Sequence, residues 1–312
     1  MDRPEFDLRA VCAQASALYA QALDEDAEQL LRQALTFRPA ASELWRTLAP
    51  VLLVQGKYRE GFQAFEARGE RLLTPLSKLS YPEWEGAPLC GRSIMIGGEQ
   101  GLGDEIQFAR FVPALRGLGA SRITLAVASA NVRALASLDV DAVIPRDKGG
   151  VAVPKHDCWV MLGSLPHRLG VTLENLSGAS YLSVDRRTPH GIGIVERGDP
   201  RHPNDANRSL PAGLLRNVLP QAELLQPHGD VFDSLQRLAG LELVITADTS
   251  WAHMAGALGV PCWVLTPCGR VDWRWMREGS TSPWYDSVRL VRQDRPGNWP
   301  GVIAQVVSDL GL

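Results

Sequence analysis

Residues 243–265, LVITADTSWAHMAGALGVPCWVL, hold a strand, a turn, a helix and a second strand in one short stretch. The first apolar run ends at Thr246 or Ala247, and Asp248-Thr249-Ser250 makes the turn. A hydroxyl residue just ahead of a helical run is a favoured N-cap, so Thr249 or Ser250 is expected to start the helix. His253 falls in its first turn, and Ala255, Gly256, Ala257 and Gly259 keep the remainder slim enough to lie close on a sheet. Such a unit builds a parallel, doubly wound sheet, which takes ligands beyond the carboxyl ends of its strands. Free N–H groups, two hydroxyls and an imidazole therefore meet where the helix dipole is positive. That setting suits a diphosphate, and no acid follows inside the helix to oppose it.

The same texture extends outward in both directions. GIGIVERG opens a unit near Gly191 that continues through ELVITADTS to PCWVLTP. An earlier unit over roughly residues 90–185 reads SIMI, a helix over 104–115, RITLAVA, a helix around 132–137, AVIP and CWVML. Gly149-Gly150, Pro189, Gly191 and Pro261 punctuate the two. The expected architecture is α/β: Rossmann-like, doubly wound domains at 79–188 and 189–312 facing each other across a cleft, with the final helix (302–310) crossing back over the aromatic stretches DWRWM and SPWY.

Residues 1–78 differ, with few glycines and apolar residues at helical spacing. Sliding the chain by 34 positions aligns Leu18 with Leu52, Ala27 with Gly61 and Leu31 with Phe65. SELWRTLAPVLLVQGKYREGFQAFEARGERL resembles a tetratricopeptide repeat through Trp45, Leu48, Ala49, Leu52, Gly56, Tyr58, Gly61 and Phe65; the preceding repeat keeps Ala27, Ala34 and Pro39. So short an array cannot cover its own faces and is expected to pack on the neighbouring α/β domain. It either presents a groove to a peptide or caps that domain.

Bulk properties narrow the function. The chain has 312 residues, 45% apolar and 21% charged, which is the composition of a globular protein. A net charge of −3 gives no reason to expect nucleic acid or an anionic membrane as partner. Cys12, Cys90, Cys158, Cys262 and Cys268 are scattered without C-x-x-C spacing, and neither a signal pattern nor an apolar run of spanning length occurs. The expectation is a reduced, cytoplasmic protein with no membrane span.

Two further stretches carry chemistry. GGEQGLGDEIQFARF (97–111) puts a glycine loop between a strand and a helix, as a phosphate cradle would, yet places Asp104 and Glu105 at its mouth. It has neither the Lys-Ser/Thr of a P-loop nor G-x-G-x-x-G spacing. NDANRSLP (204–211) follows a loop of turn formers with Arg208 ahead of a helix expected near Ser209, and a guanidinium there could clamp phosphate oxygens.

Together with PEWEG (82–86), HDCWVMLGSLP (156–166), DWRWM (272–276) and SPWY (282–285), these stretches make the chain resemble bacterial tetratricopeptide-containing glycosyltransferases. Their catalytic part is similar to the lipopolysaccharide heptosyltransferases of glycosyltransferase family 9, inverting enzymes with the GT-B fold. The resemblance implies a nucleotide-sugar donor, no cofactor, and an acceptor-facing loop at Gly101, Leu102, Gly103 and Gln107. Asp104 would then be the general base, with Glu105 merely favouring the helix start. The leaving diphosphate would be held by Arg208, Ser209, Asp248, Thr249, Ser250 and His253. No Asp-x-Asp is positioned to hold Mg²⁺, so transfer is expected to be metal-independent. Trp273 and Arg274 are candidates for donor contact, although DWRWM and SPWY are better suited to packing the junction between domains.

One departure stands out. Where relatives read V-W-A-G, this chain has Val195-Glu196-Arg197-Gly198. A Glu aimed into the cleft would repel a diphosphate, alter the sugar preference, or pair with Arg197 or Arg208. Three functions stay open at this point: a transferase whose repeats bring in a protein or peptide acceptor, a transferase acting on a saccharide or lipid-linked glycan, and a scaffold with a degenerate transferase fold.

Overall fold

In the N-terminal block, Asp7 starts helix α1 (Leu8–Ala20) by accepting the N–H groups of Arg9 and Ala10 at 2.9 and 3.1 Å. Helix α2 (Asp24–Phe37) opens on three acids that favour its dipole, and α3 (Ser42–Val54) and α4 (Tyr58–Phe65) complete a second helical hairpin. Small residues let these helices touch: a Cβ on Gly61 would lie 2.7 Å from the Leu53 side chain. The computed structural model describes residues 7–146, 154–185, 188–227 and 229–312, so Gly149-Gly150 and residues 1–6 lie outside the described chain.

The first sheet has strand order β3-β2-β1-β4, all parallel, from β1 (Ser93–Gly97), β2 (Arg122–Val127), β3 (Ala142–Pro145) and β4 (Cys158–Met161). Every residue of β1 is buried, as a strand covered on both faces must be. The next helix, α5, spans Leu102–Ala109, shorter than the expected 104–115. Pro113 has no N–H to continue the ladder, and the chain re-enters helix only for Ala114–Gly117.

The second sheet runs β6-β5-β7-β8-β10-β9, from β5 (Ile192–Val195), β6 (Glu223–Leu224), β7 (Leu243–Ala247), β8 (Cys262–Thr266), β9 (Thr281–Ser282) and β10 (Tyr285–Arg292). Its pairs are parallel except for β9 against β10. Strand β10 extends the sheet beyond PCWVLTP, the last strand expected from the sequence. Helix α6 (Leu214–Val218) begins later than expected, because Pro211 holds Leu210 out of helical geometry. Helices α7 (Val231–Leu238) and α8 (Ser250–Leu258) follow.

The terminal helix α9 (Trp299–Leu310) corrects another expectation. Its buried residues group apart from those of DWRWM and SPWY. Trp299, Val302, Ile303 and Val306 share a core with Leu215, Leu219, Ile245 and Val291 of the second unit's own sheet and helices.

Three joints bind the parts together. Tyr58 and Phe62 of α4 meet Phe108, Trp273 and Trp284 in an aromatic cluster, in which the Trp284 indole donates to Tyr58 Oη at 2.9 Å. Arg68 reaches Glu99 in the loop after β1 with two bonds of 2.6 and 2.7 Å, both side chains being buried. Arg277 grips Asp24 at 2.8 and 2.7 Å, while Tyr19 Oη donates to Val271 O at 2.7 Å. The helical block thus packs on both α/β units, and Leu53, Val54, Tyr58 and Phe62 belong to the large shared core. The five cysteines are free thiols, and among the described residues no helix is long and apolar enough to cross a membrane.

Candidate functional site

The loop after β1 turns so tightly that a Cβ on Gly98 would fall 2.4 Å from Glu105 Oε1 and 2.7 Å from Ala126 O. Gly101 caps α5, and Asp104 Oδ2 closes a capping arrangement by accepting Gly101 N–H at 2.9 Å. The two acids at this mouth then part company. Asp104 stays partly exposed, whereas Glu105 is fully buried. Its carboxylate accepts from Ala128 N at 3.0 Å, Asn131 Nδ2 at 2.8 Å and Arg146 Nε at 2.6 Å. Glu105 therefore ties α5 to the loops after β2 and β3.

Gly103 brings the two units together. A Cβ there would meet His253 Cδ2 at 2.9 Å and Ser250 Cα at 3.2 Å, so the start of α5 lies directly on the start of α8. Thr249 is the N-cap of α8, accepting Trp251 N–H at 3.3 Å and sharing a 3.1 Å hydroxyl contact with Thr246. His253 stacks on Trp275 at 5.4 Å and bonds Tyr285 Oη through Nδ1 at 2.9 Å. Burial, with Arg274, Arg110 and Arg208 nearby, lowers its pKa to about 3, so it is a neutral imidazole near pH 7. Asp248 moves the other way. Burial and the neighbouring Asp272 carboxylate raise its pKa to about 6.

Arg208 lies over Gly198, where an added Cβ would be 2.6 Å from its Nη2. Its Nε is buried without a hydrogen bond, the Asp205 carboxylate standing 3.5 Å away. Ser209 supports the loop, accepting Gly198 N–H and donating to Asp205 Oδ1, both at 2.9 Å. Glu196 corrects the reading of its motif. Its carboxylate accepts Gly213, Leu215 and Arg216 N–H at 2.9, 2.7 and 3.1 Å and so anchors the first turn of α6. Its oxygens are taken up by that helix start, and its contacts involve neither Arg197 nor Arg208. Trp273 is likewise committed elsewhere, buried in the aromatic cluster with Tyr58, Phe62 and Trp284.

Arg274 does reach across to α5. Its Nη2 donates to Asp104 Oδ1 at 2.5 Å, its Nη1 to both Asp272 oxygens at 3.1 Å, and its Nε to Gln107 Oε1. Gln107 is buried, and its Nε2 has no partner. Asp272 is the residue that sequence reasoning passed over. It stands in DWRWM two positions before the Arg whose N–H it caps, a local pattern open to detection. Leu102 is exposed at the mouth. Asp104, Gln107, Gly103, Ser250, His253 and Arg274 thus form one constellation drawn from both units, with Asp248 and Arg208 within its electrostatic reach. Among the described residues no three His, Cys, Asp or Glu side chains are grouped to hold a metal ion.

No protein-family model matches the chain. Protein FlbA of Caulobacter vibrioides is 26% identical over 324 residues, covering 84% of this chain and 54% of that protein. The chain therefore spans about half the length of this curated relative. Among solved structures, a glycosyl transferase family 9 protein from Veillonella parvula is 14% identical and covers 73% of this chain and 91% of its own, with a TM-score of 0.46. The E. coli heptosyltransferase WaaC, solved with ADP, is 11% identical and covers 70% and 98%, also at 0.46.

Proposed function

We propose that the chain transfers a sugar from a nucleotide sugar to an acceptor hydroxyl with inversion at the anomeric carbon. Asp104 takes the hydroxyl proton as the acceptor oxygen forms its bond to that carbon. The bond from the carbon to the phosphate oxygen breaks, and its electron pair leaves on the diphosphate. The negative charge developing there falls on fixed donors: the N-terminus of α8 at Thr249 and Ser250, the neutral imidazole of His253, and Arg208. Preorganised donors of this kind are worth several kcal/mol in a site shielded from water, so no protein-held metal is invoked. The observation that supports the reading is the contact of Gly103 with Ser250 and His253, which sets the start of α5, where Asp104 stands, beside the start of α8. Because Glu196 is spent on α6, its carboxylate does not oppose a diphosphate.

The acceptor is proposed to be a saccharide or lipid-linked glycan in preference to a protein captured by the repeats. The faces of α3 and α4 that carry Leu53, Val54, Tyr58 and Phe62 are consumed in the shared core. A scaffold reading is favoured by one observation, that both oxygens of Asp104 already have partners. The deciding experiment screens UDP, ADP, GDP and CDP and their sugar conjugates by thermal shift, then assays transfer by wild type and Asp104→Asn with the stabilising conjugate. Stabilisation by one nucleotide class, with transfer falling about a thousandfold in Asp104→Asn while nucleotide binding persists, supports the transferase. Full activity in that variant rejects the base assignment, and stabilisation by none of the nucleotides favours the scaffold.

A further inference from the structure

Asp104 and Arg274 stand on different α/β units and meet in a 2.5 Å ion pair. With Gly101 N–H on the other oxygen at 2.9 Å, each oxygen of Asp104 accepts one hydrogen bond. Each oxygen keeps a second lone pair, but the guanidinium on Oδ1 competes with an acceptor hydroxyl for that oxygen. Arg274 also interacts electrostatically with Asp248 and His253, which flank the start of α8. Its side chain is only 8% exposed, so water screens it weakly there. One guanidinium thus lies between the candidate base and the place where diphosphate charge would collect.

The geometry points to Arg274 as a positioning residue that couples the two sides: a diphosphate at the start of α8 draws the guanidinium off Asp104 and so frees the base when the nucleotide sugar is in place. This rests on the transferase reading above. Asp272, on the same loop as Arg274, holds Nη1 with both its oxygens and serves as the pivot. The helical repeats steady that loop through Tyr19 on Val271 O, Trp273 against Tyr58 and Phe62, and Asp24 on Arg277. The helical block therefore takes part in the device by keeping the pivot in register. Coupling of this kind is reciprocal: Asp104 competes with the diphosphate for Arg274, so each loosens the other's hold.

The test is calorimetric titration of wild type, Asp104→Asn, Arg274→Gln and the double variant with ADP, UDP, GDP and CDP. Asn keeps an oxygen for Gly101 N–H, so the start of α5 survives the change. Asp104→Asn should bind the preferred nucleotide about tenfold tighter than wild type, and Arg274→Gln about tenfold weaker. In the double variant the gain from Asp104→Asn should vanish. A purely structural ion pair would leave the Asn variant's affinity unchanged or reduced. If a nucleotide binds wild type and Asp104→Asn binds it no tighter, the coupling is overturned and the transferase reading stands. If none of the four binds any variant, the transferase reading falls and the coupling with it.

Discussion

The β1–α5 and β7–α8 units are the same supersecondary element with the carboxylate in a different place. Each is a buried parallel strand, a tight turn and a helix whose N-terminus faces the other across Gly103. In the first, the position after the turn carries a carboxylate that closes the helix start and stays partly open to water. In the second, the acid precedes the helix, is buried beside another carboxylate, and is driven toward neutrality. The backbone offers positive potential at both ends, and what each end does depends on where the carboxylate sits relative to water. In the proposed reaction one end accepts a proton and the other receives an anion.

The largest expected effect concerns the support beneath the first unit. Glu105→Ala removes the acceptor for Ala128 N–H, Asn131 and Arg146, and should cost about 3 kcal/mol in urea unfolding. Glu105→Gln, which keeps the shape, should cost nearer to about 1 kcal/mol. Equal losses would mean that the charge, not the bonding pattern, holds α5 down.

On the second unit, Arg208→Gln should weaken nucleoside diphosphate binding by about 10- to 100-fold at unchanged melting temperature. A drop in melting temperature with affinity preserved would make the arginine a scaffold residue and erase the contrast between the two helix starts.

The smallest effect is a pH dependence. The folded pKa of Asp248, about 6, lies above its ordinary value of 3.8, so the folded state holds the proton more tightly. Its contribution is full below about pH 4, is lost as the pH rises to 6, and stays lost above. Asp248→Asn should therefore stabilise the protein by about 1–2 kcal/mol at pH 7 and by nothing below about pH 4, read from melting curves across that range. His253, depressed from 6.5 to about 3, acts with the opposite sign, and its contribution is lost as the pH falls below 6.5. The two partly cancel in wild type, so the Asn variant should show a steeper acid loss. A parallel shift at every pH would contradict the buried state of Asp248.

The alternation of apolar runs and slim helices, the N-cap at Thr249 and the helical block with its close-packing Ala and Gly residues could all be read directly from the chain. Those features are local. Each depends on residues within a turn or two, and the physics of capping, periodicity and steric fit acts over that span. Strand β10 was open to detection in the same way, since Val288 and Leu290 are buried while Arg289 is partly exposed, but its Asp, Ser and Arg residues masked the pattern.

The fates of the charged groups were not legible. Glu105 and Asp104 are neighbours in sequence, yet one is buried in bonds to residues 23 to 41 positions away and the other is paired 170 positions away. Glu196 reads as an intruder in the cleft and is in fact held by the start of α6. Arg274 reads as a candidate for donor contact, and its bridge to Asp104 on the other unit is not legible. A side chain's charge is local, but its partner, its burial and hence its chemistry are set by what long-range packing brings beside it. Folding alone decides that.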